Sequence, residues 1–251
     1  MTTSSTLRAL EVIGLKKAFG GMVVTQDVSL KIHPGERRLI IGPNGAGKTT
    51  LFNQISGDLR PNSGMIRLFD ANITYLPPYR RAHLGLSRTY QIITLFADDK
   101  LEHNVSLGLL GLRPSRWQMW RPMSYYRDLA REARRTLDSV GLLHLADHPI
   151  SDIAYGEKRR AELAVALAQK PRVLLLDEPL AGLSNTERST VKAVIASIPR
   201  DTTVIMIEHD MDTALDLAET VTLLNYGRVI VDGKRDAVIA DERTREVYLG
   251  A

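Results

Sequence analysis

Gly42-Pro43-Asn44-Gly45-Ala46-Gly47-Lys48-Thr49 lies between a short apolar run, Arg38–Ile41, and a stretch with helical spacing, Gly47–Ser56. The octet satisfies in full the glycine, lysine and hydroxyl spacing of a phosphate-binding loop, and it has the strand-then-helix surroundings such a loop needs. Each residue type has a physical reason. Glycines let the backbone curl so that several N–H groups converge on phosphate oxygens. The helix that follows presents its positive end to the same anion. Lys48 is placed to reach the outer phosphates and Thr49 to offer its hydroxyl to Mg²⁺.

Working outward, the run Leu174-Leu175-Leu176-Asp177-Glu178-Pro179 ends an apolar segment with two carboxylates. Acidic groups at the carboxyl end of a buried strand stand where α/β folds bind ligands. Asp177 is expected to hold Mg²⁺ through water. Glu178 is expected to orient or deprotonate an attacking water. His209 ends a further apolar run, Thr203–Ile207, and is a candidate for the γ-phosphate and the water. Gln91, in Arg88-Thr89-Tyr90-Gln91, is a candidate to reach the metal or the water. Phe19 either stacks on a base or packs in the core. Taken singly, these last three carry little.

Strands are expected at Leu10–Ile13, Val23–Ile32, Arg38–Ile41 and Met65–Leu68. From Pro77 to His148 the chain takes on helical spacing and many arginines: Arg113, Arg116, Arg121, Arg127, Arg131, Arg134 and Arg135. Arg160–Ala168 reads as a buried helix. Val173–Leu176, Thr203–Ile207 and Val221–Leu224 are continuous apolar runs, the pattern of parallel strands covered on both faces. Arg228–Val231 follows a Tyr226-Gly227 turn as a hairpin partner. The sum is an α/β core with a helical insertion.

The 251 residues, 44% apolar and 25% charged, fit one large domain or a core with an inserted subdomain. The formal charge of +4 is too small to specify a partner. The absence of cysteine excludes disulfides, thiolate metal sites and thiol nucleophiles. The opening Met1–Ser5 lacks the charged-then-apolar pattern of a signal peptide. The longest uncharged stretches, including His103–Leu112 and Thr202–Ile207, fall well short of the ~20 apolar residues of a spanning helix.

Phe19, the 42–49 loop, Gln91, Gly156-Glu157, Asp177-Glu178 and His209, in this order, resemble the ATP-binding cassette family over essentially the whole chain. The resemblance implies a P-loop NTPase core within one domain, 1–251. It also implies an N-terminal antiparallel β region and a helical subdomain inserted at about 92–155. It assigns Phe19, Val24, Gly42, Pro43, Asn44, Gly45, Ala46, Gly47, Lys48, Thr49, Thr50 and Asp177 to ATP. Thr49, Gln91 and Asp177 go to Mg²⁺, and Glu178, His209 and Gln91 to catalysis. Ala154, Tyr155, Gly156 and Glu157 form the signature, which in this family contacts ATP held by a partner cassette. The chain departs from the common Leu-Ser-Gly-Gly-Gln signature: it reads Ile153-Ala154-Tyr155-Gly156-Glu157, without the serine hydroxyl. The segment Ala181-Gly182-Leu183-Ser184 also ends in serine where the family more often has aspartate.

Tyr155, the Arg88–Phe96 segment and the terminal Tyr248-Leu249-Gly250-Ala251 resemble the ATPase subunits of branched-chain amino-acid importers, with urea and short-chain amide importers close by. That resemblance implies a second, different cassette, two permease subunits and a solute-binding protein, with the chain peripheral on the cytoplasmic face of the plasma membrane. Nucleic acid is not expected as a partner. Leu107–Leu112 and the arginine-rich stretch are either the surface that receives the permease or a solvated basic face. Three rival readings stand beside it: an ABC ATPase acting on nucleic acid or ribosomes, a P-loop kinase or GTPase, and a binding module without turnover.

Overall fold

The computed structural model describes residues 7–118, 120, 122–209 and 214–249. The opening Met1–Ser5, Arg121 and the terminal Gly250 and Ala251 lie outside the described residues. The chain divides into two compact units, one of 1–86, 172–178 and 199–251, the other of 87–171 and 179–198.

The first unit holds two sheets. In the first, β1 (Leu10–Phe19) and β2 (Met22–Ile32) form an antiparallel hairpin in which Leu10 faces Ile32 and Phe19 faces Met22. β1 also pairs antiparallel with β4 (Ser63–Leu68), which continues to β5 (Ala71–Asn72). The second sheet is built on β3 (Arg37–Ile41), β7 (Val173–Asp177) and β8 (Thr203–Ile207), whose residues are buried throughout. β7 pairs parallel with β8, β8 with β3, and β3 with β9 (Thr220–Asn225). The continuous apolar runs therefore mark parallel strands, as expected. β10 (Arg228–Lys234) closes this edge as the antiparallel partner of β9, and the short β6 (Leu86–Arg88) starts at the other edge.

Helix α1 (Lys48–Ser56) leaves β3 through the glycine loop and buries Leu51, Phe52 and Ile55 in a core shared with Leu10, Leu15, Ile40, Leu175 and Ile205. α2 (Pro78–His83) also belongs to this unit, so the change of character at Pro77 precedes the helical unit. Two short helices, α7 (Arg235–Ala240) and α8 (Glu242–Leu249), end the described chain.

The second unit packs α3 (Leu101–Gly111), α4 (Arg127–Ser139), α5 (Tyr155–Ala168) and α6 (Asn185–Ser197). Leu101, Val105 and Leu109 of α3 are buried, as are Leu129, Ala133 and Leu137 of α4. Gly108 is the close-approach point on α3: a Cβ there would stand 3.1 Å from Val165 of α5. Two arginines of the arginine-rich stretch are tied within the unit, Arg113 to Asp128 and Glu132, and Arg134 to Glu102 and Asp147. Leu107–Leu112 is partly covered, with Leu109 buried. Among the described residues no helix is long and apolar enough to cross a membrane.

Candidate nucleotide site

The phosphate loop is clamped from behind. Gly42 has φ 153, and a Cβ there would overlap the carbonyl oxygen of Leu224 on β9. Gly47 caps α1 with φ 98, and a Cβ would meet the Val24 carbonyl at 2.6 Å. Only glycine fits where the backbone is left-handed and a carbonyl stands against the Cα. The Tyr226-Gly227 turn contributes an N–H to the Ala46 carbonyl at 3.0 Å, and Gln26 on β2 donates to the Gly227 carbonyl at 2.7 Å. Val24, assigned to the nucleotide from sequence, thus touches the loop through its main chain.

Lys48 is buried, and its Nζ donates to the carbonyls of Gly42 at 2.6 Å and Pro43 at 3.1 Å. Burial holds its pKa below the ordinary lysine value, and the charges of Glu178 and Asp177 act the other way. Thr49 is exposed, Thr50 half-buried, and Asn44 and Gly45 are exposed at the rim of the loop. Phe19 ends β1 half exposed, with Lys17 Nζ 5.2 Å from its ring centroid. It is therefore not a core residue.

At the end of β7, Asp177 is 1% exposed and Glu178 5% exposed. Glu178 has φ 49, a left-handed conformation rare outside glycine, and its amide donates to the Ile207 carbonyl of β8 at 3.0 Å. Strain of this kind collects at functional positions. Nε2 of His209 stands 2.5 Å from Oε1 of Glu178, hydrogen-bond distance between the imidazole and the carboxyl group. Lys48, Asp177, Glu178 and His209 all belong to the first unit. The donor types suit Mg²⁺, a hard cation that takes a hydroxyl, a carboxylate, phosphate oxygens and water rather than an all-protein cage. Among the described residues no group of three or more His, Cys, Asp or Glu could hold a metal by itself.

Gln91 and the Ile153–Glu157 segment belong to the second unit. Gln91 is exposed, and its carbonyl accepts from Arg159 Nη2 at 2.7 Å. Ala154 is the N-cap of α5 and has no side-chain oxygen, but Oε2 of Glu157 accepts its N–H at 3.1 Å.

Residues 25–181 match the ABC transporter family model. The chain belongs to the ABC transporter family. Among curated relatives the cassette is 34% identical to BraF of Pseudomonas aeruginosa, a high-affinity branched-chain amino acid transport ATP-binding protein. It is 33% identical to LivG of Escherichia coli, which carries the same description. Each alignment covers 96% of this chain and 97% of the relative. Two solved ATP-binding cassettes of an ABC transporter superpose with a TM-score of 0.87 at 26% identity, one nucleotide-free and one in its ADP conformation, over 98% of this chain and all of theirs.

The cassette also uses residues that sequence reasoning did not single out. Arg81 is 1% exposed and caps the C-terminal end of α1: Nη1 donates to the carbonyls of Gln54 at 2.8 Å and Ile55 at 2.6 Å. Its Nη2 and Nε donate to the carbonyls of Thr74 at 2.9 Å and Leu76 at 2.8 Å. A cation there complements the helix dipole and satisfies carbonyls that α1 cannot. Burial lowers its pKa to about 10, so it stays charged at neutral pH. Thr25 Oγ1 donates to Gln54 Oε1 at 3.1 Å, joining β2 to α1.

Proposed function

We propose that this cassette is the ATP-hydrolysing subunit of an importer for branched-chain or related amino acids. The observation that carries hydrolysis is the Glu178–His209 pair, a buried carboxylate at the end of β7 held at 2.5 Å by an imidazole, in the same unit as the phosphate loop. In this reading the amides of 42–49 and Lys48 bind the phosphates, and Phe19 offers a ring face to adenine. Glu178, oriented by His209, takes the proton of the attacking water or aligns it in line with the γ-phosphorus. Thr49 and Asp177 would hold Mg²⁺, which when bound neutralises charge on the phosphate oxygens.

The substrate class is supported by the full-length similarity to BraF and LivG. The partners are a second, different cassette and two permeases, with a solute-binding protein beyond them, and the cassette lies on the cytoplasmic face of the membrane. In the same reading the signature of each cassette contacts the nucleotide held by the other. Loss of the γ-phosphate then releases the interface. A surface for the permease is supported by the second unit's exposed aromatics, Phe96, Trp117 and Trp120.

Tagged cassette would be isolated from native membranes in mild detergent and its companions identified by mass spectrometry. Two multi-spanning permeases and a second cassette are expected, and Glu178→Gln should lower hydrolysis of the nucleotide held by this cassette's own phosphate loop about 10²- to 10⁴-fold while retaining ATP binding. Recovery with ribosomes or nucleic acid instead would overturn the importer reading.

A further inference from the structure

The amide end of α5 already carries two carboxylates of the cassette's own chain. One is Glu157, which accepts the Ala154 N–H at 3.1 Å where the common signature has a neutral glutamine. The other is Glu187, from the first turn of α6. A Cβ built on Gly156 would overlap Oε1 of Glu187 and stand 2.7 Å from its Cδ and 2.8 Å from its Cγ. The same carboxylate accepts the Ser184 amide at 2.9 Å and the Ser184 hydroxyl at 2.6 Å. The neighbouring Tyr155 ring packs on Gly182, where a Cβ would meet Cε1 at 3.3 Å. The signature and the 181–187 segment are therefore one packed body within the second unit.

The cations of α5's first turns are largely directed elsewhere. Lys158 donates to the Ser151 carbonyl at 3.3 Å, and Arg159 to the carbonyls of Tyr90 and Gln91 and to Glu162. Arg160 donates to the Val140 carbonyl at 3.0 Å and approaches Glu157 at 4.0 Å. The Ser184 hydroxyl, then the Ser184 amide, hold the Glu187 carboxyl below its ordinary range, with the Gly156 amide acting in the same direction. Glu187 is thus ionised at neutral pH.

A helix N-terminus attracts one anion and is screened by the next. We propose that Glu187 is a positioning residue for the signature: it fixes Gly156 to the 181–187 loop, and its charge opposes the terminal phosphate of a nucleotide presented by the partner cassette. This inference rests on the shared-nucleotide reading above. It accounts for both departures of the chain together, since the Tyr155–Gly182 packing and the Ser184–Glu187 cap use the residues in which the signature and the following loop differ from the common forms.

The test separates charge from structure. Glu187→Gln removes the charge, and glutamine serves the same cap as glutamate; Glu187→Ala removes both. ATP-dependent association is measured by sedimentation in a Glu178→Gln background, where ATP persists. The cassette is paired with a second copy of itself and with the second cassette recovered from native membranes. Glu187→Gln is expected to tighten association severalfold at low salt, with the gain fading at about 0.5 M salt. Glu187→Ala should associate less tightly than the glutamine variant and melt lower. A purely structural residue would show no gain with glutamine. Association by both parent and variant with equal affinity overturns this inference alone. No ATP-dependent association of any pair removes the shared-nucleotide reading and the inference with it.

Discussion

Replacing Arg81 by methionine would remove four buried hydrogen bonds while nearly keeping the side-chain volume. Two of the orphaned carbonyls end α1 and two lie in the segment after β5. Leaving a buried acceptor unmet costs roughly 1–3 kcal/mol, so at about 1.5 kcal/mol each the gross loss is about 6 kcal/mol. Against this stands the burden of the buried cation itself. Its pKa falls from 12.5 to about 10 because of burial, which corresponds to about 3 kcal/mol that methionine would not carry. The net expectation is about 3 kcal/mol of lost stability, or a Tm lower by roughly 6–12 °C for a chain of this length. Arg81→Lys keeps the charge and three donors and should lose less. Because α1 begins at Lys48, its displaced C-terminal end should also weaken nucleotide binding. Calorimetry with a urea titration reads the first effect and fluorescent nucleotide binding the second. A methionine variant within about 0.5 kcal/mol of the parent, or less damaged than the lysine variant, would refute the reasoning.

Gly42→Ala places a methyl on the Leu224 carbonyl at φ 153, so the loop must shift; nucleotide affinity should fall at least tenfold, read by isothermal titration, and an unchanged affinity would contradict the clamp. Glu36 is 8% exposed and accepts from the Arg38 guanidinium at 2.7 Å and the His33 amide at 2.8 Å. Burial pushes its pKa up, but Arg38, the His33 amide and the Thr220 hydroxyl outweigh that and leave it below 4.5. A depressed carboxylate stabilises the fold above its unfolded pKa and loses that contribution as pH falls through the folded one. Glu36→Gln should therefore cost about 3 kcal/mol at pH 7, with the gap to the parent closing below pH ~4.5; urea midpoints at pH 7 and 3.5 that differ equally would speak against this.

The parallel strands were legible because burial on both faces leaves no room for polar alternation: Val173–Leu176 and Thr203–Ile207 stand in the fold within a residue of their expected bounds. The phosphate loop was legible because its chemistry is local in sequence. Helix α5 was expected from Arg160 but starts at Tyr155, since its first turn is polar and its apolar residues gather toward the C-terminal end. Helix α6 escaped notice, although Ser184 and Glu187 form a capping box, because Asn185–Thr190 is rich in residues of low helix propensity and only later positions are apolar. Arg81 escaped for a different reason. A buried arginine is recognisable only once the carbonyls around it are known, and those come from α1 and from the segment after β5. Phe19 was left between stacking and core packing, and its exposure removes the second alternative.

The pairing of β3 bears on how the protein is made. Both neighbours of this strand, β8 and β9, come from the last fifth of the chain, and β8 begins 162 residues after β3 ends, at 203 against 41. At translation rates of about 5–20 residues per second, Leu39-Ile40-Ile41 leaves the ribosome roughly 10–30 s before any strand can cover its edges. The sheet around the phosphate loop is thus assembled after nearly everything else has been synthesised. Arg37 and Arg38 immediately before that triplet are charges flanking an apolar strand, which is where a nascent chain needs protection from its neighbours on a polysome.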